Sequence, residues 1–185
     1  MSPSQFVAVM GVSGTGKSTI GRLLADELGA PCAEADAFHP PADIARTSTG
    51  GPLDDSDREP WLDAIGAGAA GRGGVVSCSA LKRVSRDRLR SGSPRLFFVH
   101  LTGDRALIAE RLAQRRDHFM PGALLDSRFA PLEPLQADEL GTSIPLTAGP
   151  ESVTAQAAAV LTGSPGSGPD IHGTENSMEC SHGSN

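Results

Sequence analysis

A glycine-rich segment near the start of the chain constrains the fold more than any other feature. Gly11-Val-Ser-Gly-Thr-Gly-Lys17-Ser18 matches the pattern G-x-x-x-x-G-K-[ST] at every fixed position. Glycines let successive backbone N–H groups point inward, and a helix that follows adds its free amides and dipole, so the segment predicts a phosphate-binding loop. An apolar run over 6–10 precedes it and an amphipathic stretch over 17–28 follows it, which is the strand–loop–helix order that such a loop needs.

The same segment predicts which groups hold a nucleoside triphosphate. Lys17, one of only two lysines in the chain, is expected to bridge the β- and γ-phosphates, and the Ser18 hydroxyl is expected to ligate Mg²⁺. The remaining predicted nucleotide-binding positions are Gly11, Val12, Ser13, Gly14, Thr15, Gly16 and Thr19. ATP and Mg²⁺ are therefore the predicted cofactors. The alternative is a glycine-rich turn that matches the pattern by accident, and the flanking strand and helix disfavour it.

Hydrophobic patterning along the rest of the chain predicts alternating strands and helices. Short apolar runs predict strands over 6–10, 32–35, 75–78, 96–101 and 142–147. Helical periodicity predicts helices over 17–28, 55–70, 80–91, 104–116 and 152–161. Strands that alternate with helices form a parallel sheet covered by helices on both faces, so the predicted class is α/β.

Length and composition predict one domain followed by a tail. The chain has 185 residues, which leaves no room for a second full core, and we assign residues 1–162 to the domain. Residues 163–185 are rich in glycine and serine and poor in aliphatic side chains, so burying them cannot offset the entropy lost on ordering. We expect this tail to be disordered and dispensable. The alternative is a partner-binding segment or an expression artefact.

Charge and cysteine content disfavour several classes of protein. The net charge is −6, whereas proteins that bind nucleic acid through its phosphates usually carry an excess of positive charge. No apolar run reaches the length of a membrane span, and residues 1–6 lack the features of a signal peptide. The three cysteines have no metal-ligand spacing and are expected to be reduced thiols in small buried or neutral positions. We expect a cytoplasmic protein that acts on a small molecule, not on nucleic acid or a membrane.

Among nucleotide-binding classes, the pattern favours a small kinase. A GTPase switch would carry a guanine-reading N-K-x-D segment, which the chain lacks. A motor ATPase normally closes an apolar strand with an acidic Mg²⁺ ligand, whereas the run over 75–78 is followed by Ser79. An aspartate after the second strand, Asp36, and an arginine-rich stretch over 111–116 are typical of a kinase whose lid excludes water during transfer.

Four further segments carry a resemblance to a known family. They are 34–40 (EADAFHP), 50–62 (GGPLDDSDREPWL), 78–90 (CSALKRVSRDRLR) and 111–135 (RLAQRRDHFMPGALLDSRFAPLEPL). In this order, and with the glycine-rich loop, they resemble the gluconokinase family over residues 6–161. That family phosphorylates D-gluconate with ATP and Mg²⁺ to 6-phospho-D-gluconate, which feeds the pentose phosphate or Entner–Doudoroff route. The resemblance implies a P-loop kinase fold similar to nucleoside monophosphate kinases, a small lid over about 113–135, and a homodimer.

The resemblance also implies that Asp36 and His39 hold the acceptor. Asp36 would orient or deprotonate the acceptor hydroxyl and contact Mg²⁺ through water. The alternative for Asp36 is a turn residue at the end of a strand. His39 would help to hold the sugar acid, although a lone histidine is more often an ordinary surface or core residue.

A gluconate site needs a fixed cation for the carboxylate and polar groups for the hydroxyls. Arg58, Lys82 and Arg86 are the predicted cations, because an arginine can grip a carboxylate through two parallel hydrogen bonds. Lys82 and Arg86 have the i, i+4 spacing that places both on one face of the predicted helix. Ser79 is expected to supply a hydroxyl or an amide. Trp61 is predicted to pack in the core and not to support the sugar.

Arg111 and Arg115 have the same i, i+4 spacing, at the start of the predicted lid. They resemble lid arginines that contact ATP and neutralise charge in the transition state, and the alternative is salt bridging on a helix surface. The predicted catalytic residues are Lys17, Asp36 and Arg115. Positions that depart from the family pattern, and leave fine selectivity open, are Ala35, Asp43, 46–47 and Arg128.

Two alternatives to a gluconate kinase remain at this point. A shikimate-type or other small-metabolite kinase would share the loop and the lid but would phosphorylate a different acceptor. A nucleotide-binding regulator that has lost catalysis would bind ATP but would release no ADP in response to gluconate.

Overall fold

The structure is a computed structural model, and it describes residues 6–38, 59–69, 73–114 and 129–163. Its strands are β1 (Phe6–Met10), β2 (Cys32–Glu34), β3 (Gly74–Ser77), β4 (Phe97–Thr102) and β5 (Gly141–Pro145). Its helices are α1 (Lys17–Leu28), α2 (Glu59–Ala69), α3 (Arg83–Gly92), α4 (Arg105–Ala113) and α5 (Pro150–Thr162), and a short 3-10 turn covers Ala35–Phe38. All pairings in the sheet are parallel, and the strand order is β2-β3-β1-β4-β5. The predicted α/β class is confirmed.

The central strand β1 is buried on both faces, because its side chains alternate between two hydrophobic cores. Val7 and Val9 pack in a core shared with α1, α4 and α5. Phe6, Ala8 and Met10 pack in a second core shared with α2 and α3. Helices therefore cover both faces of the sheet, as the continuous apolar runs of the strands predict.

Trp61 lies in the second core, on α2, and only 7% of its surface is exposed. Its indole Nε1 donates a hydrogen bond of 2.7 Å to the carbonyl oxygen of Ala35, the first residue of the 3-10 turn. This contact ties α2 to the segment that follows β2. The prediction that Trp61 packs in the core is confirmed.

The sheet register brings the ends of three strands to one edge. β1 pairs with β3 so that Val9 lies opposite Ser77, and β2 pairs with β3 so that Glu34 also lies opposite Ser77. The loops that leave these strands therefore start side by side at the carboxyl edge of the sheet, which is where ligands bind in open α/β folds.

The predicted bounds of α1 are confirmed, since the helix ends at Leu28 and Gly29 follows it as the C-cap with a positive φ of 60°. The prediction was wrong at the start of α3, which begins at Arg83 and not near residue 80. Ala80 has a φ of 20° and Lys82 is extended, with φ −90° and ψ 144°, so neither residue is helical. Lys82 therefore does not share a helix face with Arg86, contrary to the prediction.

Several predictions fall outside the described residues. They concern the start of the helix predicted over 55–70, the end of that predicted over 104–116, most of the lid, and the tail beyond residue 163. His39, Arg58 and Arg115 lie in the same undescribed parts of the chain.

Candidate nucleotide and acceptor site

The loop between β1 and α1 has the backbone curl that its glycines predict. Gly11, Gly14 and Gly16 have φ values of 151°, 93° and 86°, in the region that favours glycine. A Cβ atom on Gly14 would lie 2.8 Å from Leu112 Cγ, and one on Gly11 would lie 2.8 Å from the Leu101 carbonyl oxygen. Glycine is thus required at these two positions both by the backbone and by the space around it.

One carbonyl group holds the interior of this loop. The Val12 oxygen accepts hydrogen bonds from Thr15 Oγ1 at 2.9 Å, from Lys17 Nζ at 3.1 Å and from the Thr15 amide at 3.3 Å. Thr15 is buried and Lys17 is half-buried. The ammonium group of Lys17 therefore lies against the loop that is predicted to bind the phosphate groups.

The N-terminus of α1 opens directly from this loop. Its N-cap residue is Gly16, which has no side chain to accept a hydrogen bond from the first-turn amides. These amides carry the partial positive charge of the helix dipole, which favours an anion at this end. Lys17, Ser18 and Thr19 form the first turn of the helix. The loop, the helix end and the lysine together form an arrangement suited to phosphate groups.

Glu34 is a further candidate site residue, which the sequence did not lead us to predict. It ends β2, and its Oε2 atom accepts a hydrogen bond of 3.0 Å from the Ser18 hydroxyl. A hydroxyl and a carboxylate side by side are the oxygen donors that Mg²⁺ prefers, and this ion usually adds phosphate oxygens and water to one or two protein ligands. The donor set therefore fits Mg²⁺. The feature of the sequence that could have indicated Glu34 is the presence of an acidic residue at the end of the second strand.

Asp36, Ser79 and Lys82 lie in the two loops next to the phosphate-binding loop. Asp36 is exposed in the 3-10 turn after β2, and Ser79 is exposed two residues after the end of β3. Because Glu34 and Ser77 are paired, Asp36 and Ser79 each lie two positions beyond paired residues of neighbouring strands. Lys82 is half-buried at the end of the same β3–α3 loop. The fold thus brings these predicted acceptor residues to the sheet edge that holds the P-loop.

Arg86 does not lie in this group, and the prediction that it binds the substrate was wrong. Its side chain is 0% exposed and forms a two-pronged ion pair with Glu139, with Nε–Oε1 and Nη2–Oε2 distances of 2.7 and 2.9 Å. Its Nη1 and Nη2 atoms also donate to backbone carbonyl oxygens, namely those of Ala80, Leu81, Glu133 and Pro134. These acceptors use all the donors of the guanidinium group, so none is left for a carboxylate ligand.

Arg111 is half-buried on α4, one residue before Leu112, the side chain that contacts the P-loop at Gly14. Its Nη2 atom lies 3.5 Å from the carbonyl oxygen of Leu146. Among the described residues no ion pair to Arg111 within 4.0 Å is seen, so the surface salt bridge considered as the alternative is not formed there.

His100 is buried in the sheet beside the site. It lies on β4 opposite Met10, the residue that precedes the P-loop, and opposite Ser143 on β5. Burial, and secondly the positive charge of Arg86, lower the pKa of His100 below its ordinary value. The Ser143 hydroxyl is 3.4 Å from Nδ1, and Nε2 has no hydrogen-bond partner among the described residues. The imidazole is therefore neutral near pH 7.

Comparison with known proteins identifies the family. A model of the shikimate kinase family matches residues 13–128. The gluconokinase of Gluconobacter oxydans (strain 621H) is 47% identical over 140 residues, which are 73% of this chain and 79% of that protein. The chain belongs to the gluconokinase family. The thermosensitive gluconokinase of Escherichia coli (strain K12) is 43% identical over 144 residues, which are 75% of this chain and 76% of that protein.

A solved structure agrees with this assignment. The crystal structure of a gluconokinase from Sinorhizobium meliloti 1021 has 41% sequence identity and a TM-score of 0.78, and the match covers 86% of this chain and 93% of that one. The P-loop kinase fold and the resemblance predicted from the sequence are thereby confirmed. The shikimate kinase model spans more than half of the chain, so the gluconokinase assignment lies within that wider kinase family. Within the described ranges no helix is both long and apolar enough to cross a membrane.

Proposed function

We propose that this protein transfers the γ-phosphoryl group of ATP to the 6-hydroxyl of D-gluconate and releases 6-phospho-D-gluconate and ADP. The observation that carries the proposal is the placement of Asp36 and Ser79 at the sheet edge that also carries the P-loop, in a chain of the gluconokinase family. Use of ATP follows from membership of a P-loop kinase family. The residue roles below are part of the proposal.

The phosphate side is built from backbone amides and one lysine. Amides over residues 11–19 surround the β- and γ-phosphates, and Lys17 moves from the Val12 carbonyl oxygen to phosphate oxygens when ATP binds. Little covalent chemistry is needed from the protein in phosphoryl transfer, so catalysis rests on positioning and on charge stabilisation. Arg111 and Arg115 neutralise the charge that builds up on the transferred group.

Ser18 and Glu34 would hold Mg²⁺, because their hydrogen bond brings a hydroxyl and a carboxylate together. When bound, the ion would neutralise negative charge on the phosphate groups of ATP. Holding the Ser18 hydroxyl in one orientation is a separate contribution of Glu34, which the present hydrogen bond already makes.

The acceptor side is built from the loops after β2 and β3. Asp36 accepts the proton of the 6-hydroxyl or orients that hydroxyl toward the γ-phosphate. Lys82 and Arg58 hold the carboxylate at the other end of gluconate, and Ser79 and His39 bind its hydroxyl groups. Arg86 is excluded from this set because its donors are already used inside the protein.

Shikimate is the second acceptor to be tested, because the matched family model is that of shikimate kinase. A coupled assay of ADP release with gluconate, shikimate and nucleoside monophosphates separates the alternatives, with Lys17→Ala as the control for background ATPase activity. We expect turnover that depends on gluconate. Turnover with shikimate alone would replace the substrate in the proposal, and tight ATP binding with no acceptor-dependent ADP release would identify a regulator.

The setting of the reaction is also a proposal. The use of ATP and the presence of a reduced thiol such as Cys32 are typical of the cytoplasm. A homodimer is expected from the family resemblance, and sedimentation of the full chain tests it.

A further inference from the structure

The ion pair between Arg86 and Glu139 joins two segments that are far apart in the sequence. Arg86 lies on α3, and Glu139 lies 53 residues later, just before β5. Both side chains are fully buried. Burial alone would raise the pKa of Glu139, but hydrogen bonds from Arg86 and from the Gln136 amide outweigh it and leave the pKa lower than usual. The pair is therefore charged on both sides.

Arg86 acts on the β3–α3 loop as well as on Glu139. Its Nη1 atom donates to the carbonyl oxygens of Leu81 and Ala80, at 3.0 and 3.4 Å. Ala80 is buried and has a φ of 20°. Among the described residues it is the one non-glycine residue with a positive φ. Such a conformation persists only when the surroundings hold it. Ser79 and Lys82 flank this held segment, and both are proposed to bind the acceptor.

A second set of contacts fixes the other side of the pair. Arg86 donates to the carbonyl oxygens of Glu133 and Pro134, at 3.1 and 3.3 Å. The Glu133 amide donates to the Leu81 oxygen at 2.9 Å. The Gln136 amide donates to Glu139 Oε2 at 3.0 Å, which fixes the carboxylate. The loop over 79–82 is thus attached to the segment over 133–139 through the Arg86 guanidinium group and through the backbone hydrogen bond between Glu133 and Leu81.

We propose that Arg86 and Glu139 are a positioning pair that fixes Ser79 and Lys82 for the acceptor. The inference rests on the proposed function, because it requires that the loop over 79–82 binds the acceptor. Neither charged group touches the substrate. Their effect is to hold the carbonyl groups of the loop, and with them the direction of the two side chains that flank Ala80.

Stability alone does not account for a buried pair of this kind. An apolar pair of similar volume is often neutral or stabilising in place of a buried ion pair, whereas removal of one partner leaves an uncompensated charge. An apolar pair would, however, remove the Arg86 hydrogen bonds to the loop, so the Ala80 oxygen would lose this donor and the Leu81 oxygen would keep only the Glu133 amide. An apolar replacement of the pair therefore separates its effect on stability from its effect on the loop, because it keeps the packing of the core but removes the hydrogen bonds from Arg86 to the loop.

Arg88 provides a matched control on the same helix. It also makes a two-pronged contact with a carboxylate, with Nε–Oδ1 and Nη2–Oδ2 distances of 2.8 and 2.7 Å to Asp63, and it pairs with Glu59. These contacts join α3 to α2 and do not involve the β3–α3 loop. Arg88→Lys therefore removes a bidentate pair of the same chemistry at a place that does not hold the acceptor loop.

The test compares steady-state kinetics of the full-length protein with its Arg86→Lys, Glu139→Gln and Arg88→Lys variants, together with the melting temperature of each. We expect KM for gluconate to rise on the order of tenfold to a hundredfold in the Arg86 and Glu139 variants, since small misplacements of binding groups cost this much. KM for ATP should stay within about twofold, because the P-loop contacts are unchanged. Arg88→Lys should leave both constants unchanged.

A double variant, Arg86→Met with Glu139→Leu, keeps the test decisive if the single variants do not fold. It leaves no unpaired charge, and we expect it to fold and to show the raised KM for gluconate. An unchanged KM for gluconate in the folded variants, or an equal rise in Arg88→Lys, would overturn the positioning role. Gluconate turnover by the wild-type protein is measured first. Its absence rejects the proposed function, whereas turnover with unaffected variants rejects only the positioning pair.

Discussion

Replacing Gly14 by alanine should destabilise the protein in the absence of any nucleotide. Gly14 has a φ of 93°, and a left-handed conformation costs a residue with a Cβ atom about 1–2 kcal/mol. The new methyl group would also lie 2.8 Å from Leu112 Cγ and 3.2 Å from Ile108 Cγ2, in a core where both residues are buried. Overpacking of this kind adds about 1–3 kcal/mol. The two costs predict a loss of about 2–5 kcal/mol in the free energy of unfolding.

Gly16→Ala is the matched control for this prediction. Gly16 has a similar φ of 86°, but nothing lies within 4 Å of the Cβ position. It should therefore lose only the backbone cost of about 1–2 kcal/mol. The difference between the two variants isolates the contact between the P-loop and α4.

Urea denaturation of the two variants and the wild-type protein, without ATP, measures these costs. The midpoint should fall for both variants and further for Gly14→Ala, with an unchanged slope. A loss for Gly16→Ala that equals or exceeds the loss for Gly14→Ala would refute the reasoning, because it would show that the space beside Leu112 does not limit residue 14.

Further predictions concern the site and its surroundings. Lys17→Ala and Asp36→Asn should each abolish gluconate-dependent ADP release, and calorimetry should show that only the first greatly weakens ATP binding; a near-normal rate for Asp36→Asn would remove its acceptor role. Glu34→Gln should raise the Mg²⁺ concentration needed for half-maximal rate by about tenfold, a typical cost for a lost charge near a metal, and an unchanged Mg²⁺ dependence would contradict its role. The pKa of His100 is lowered in the folded protein, so His100 should not reduce the free energy of unfolding above its ordinary pKa of 6.5. Below that pH the unfolded chain binds the proton more readily than the folded protein does, and the free energy of unfolding should fall. His100→Gln should remove this fall in pH-dependent denaturation. Truncation after residue 163 should leave kcat and KM unchanged, and a large loss would show that the tail has a role.

The fold could be predicted because its signals are local. The P-loop depends on glycines within one short segment, and the strands and helices depend on hydrophobic periods of a few residues. α1 was predicted with its observed bounds, Lys17–Leu28, because Gly29 ends it in the left-handed conformation that favours glycine. The predicted start of α3 was wrong, because the conformation of the preceding loop depends on side-chain hydrogen bonds, including those of Arg86, which hydrophobic periodicity does not encode.

The site could be predicted only in part, because part of it depends on pairs that are distant in the sequence. Arg86 was assigned to the substrate on residue type and spacing, and its partner Glu139 gave no signal 53 residues away. Arginine is seldom fully buried unless it is paired, so an exposed position was the reasonable expectation. Glu34 was missed for a similar reason, since its contact with Ser18 arises only when β2 and the start of α1 come together in the fold.

The identity of the product tests the account most directly. Phosphorus NMR of a reaction mixture with wild-type protein, ATP, Mg²⁺ and D-gluconate resolves phosphate esters from free phosphate. The account predicts one phosphomonoester at carbon 6 of gluconate, formed in equal amount with ADP. ADP accompanied only by inorganic phosphate, or no ADP formed in response to gluconate, would contradict it.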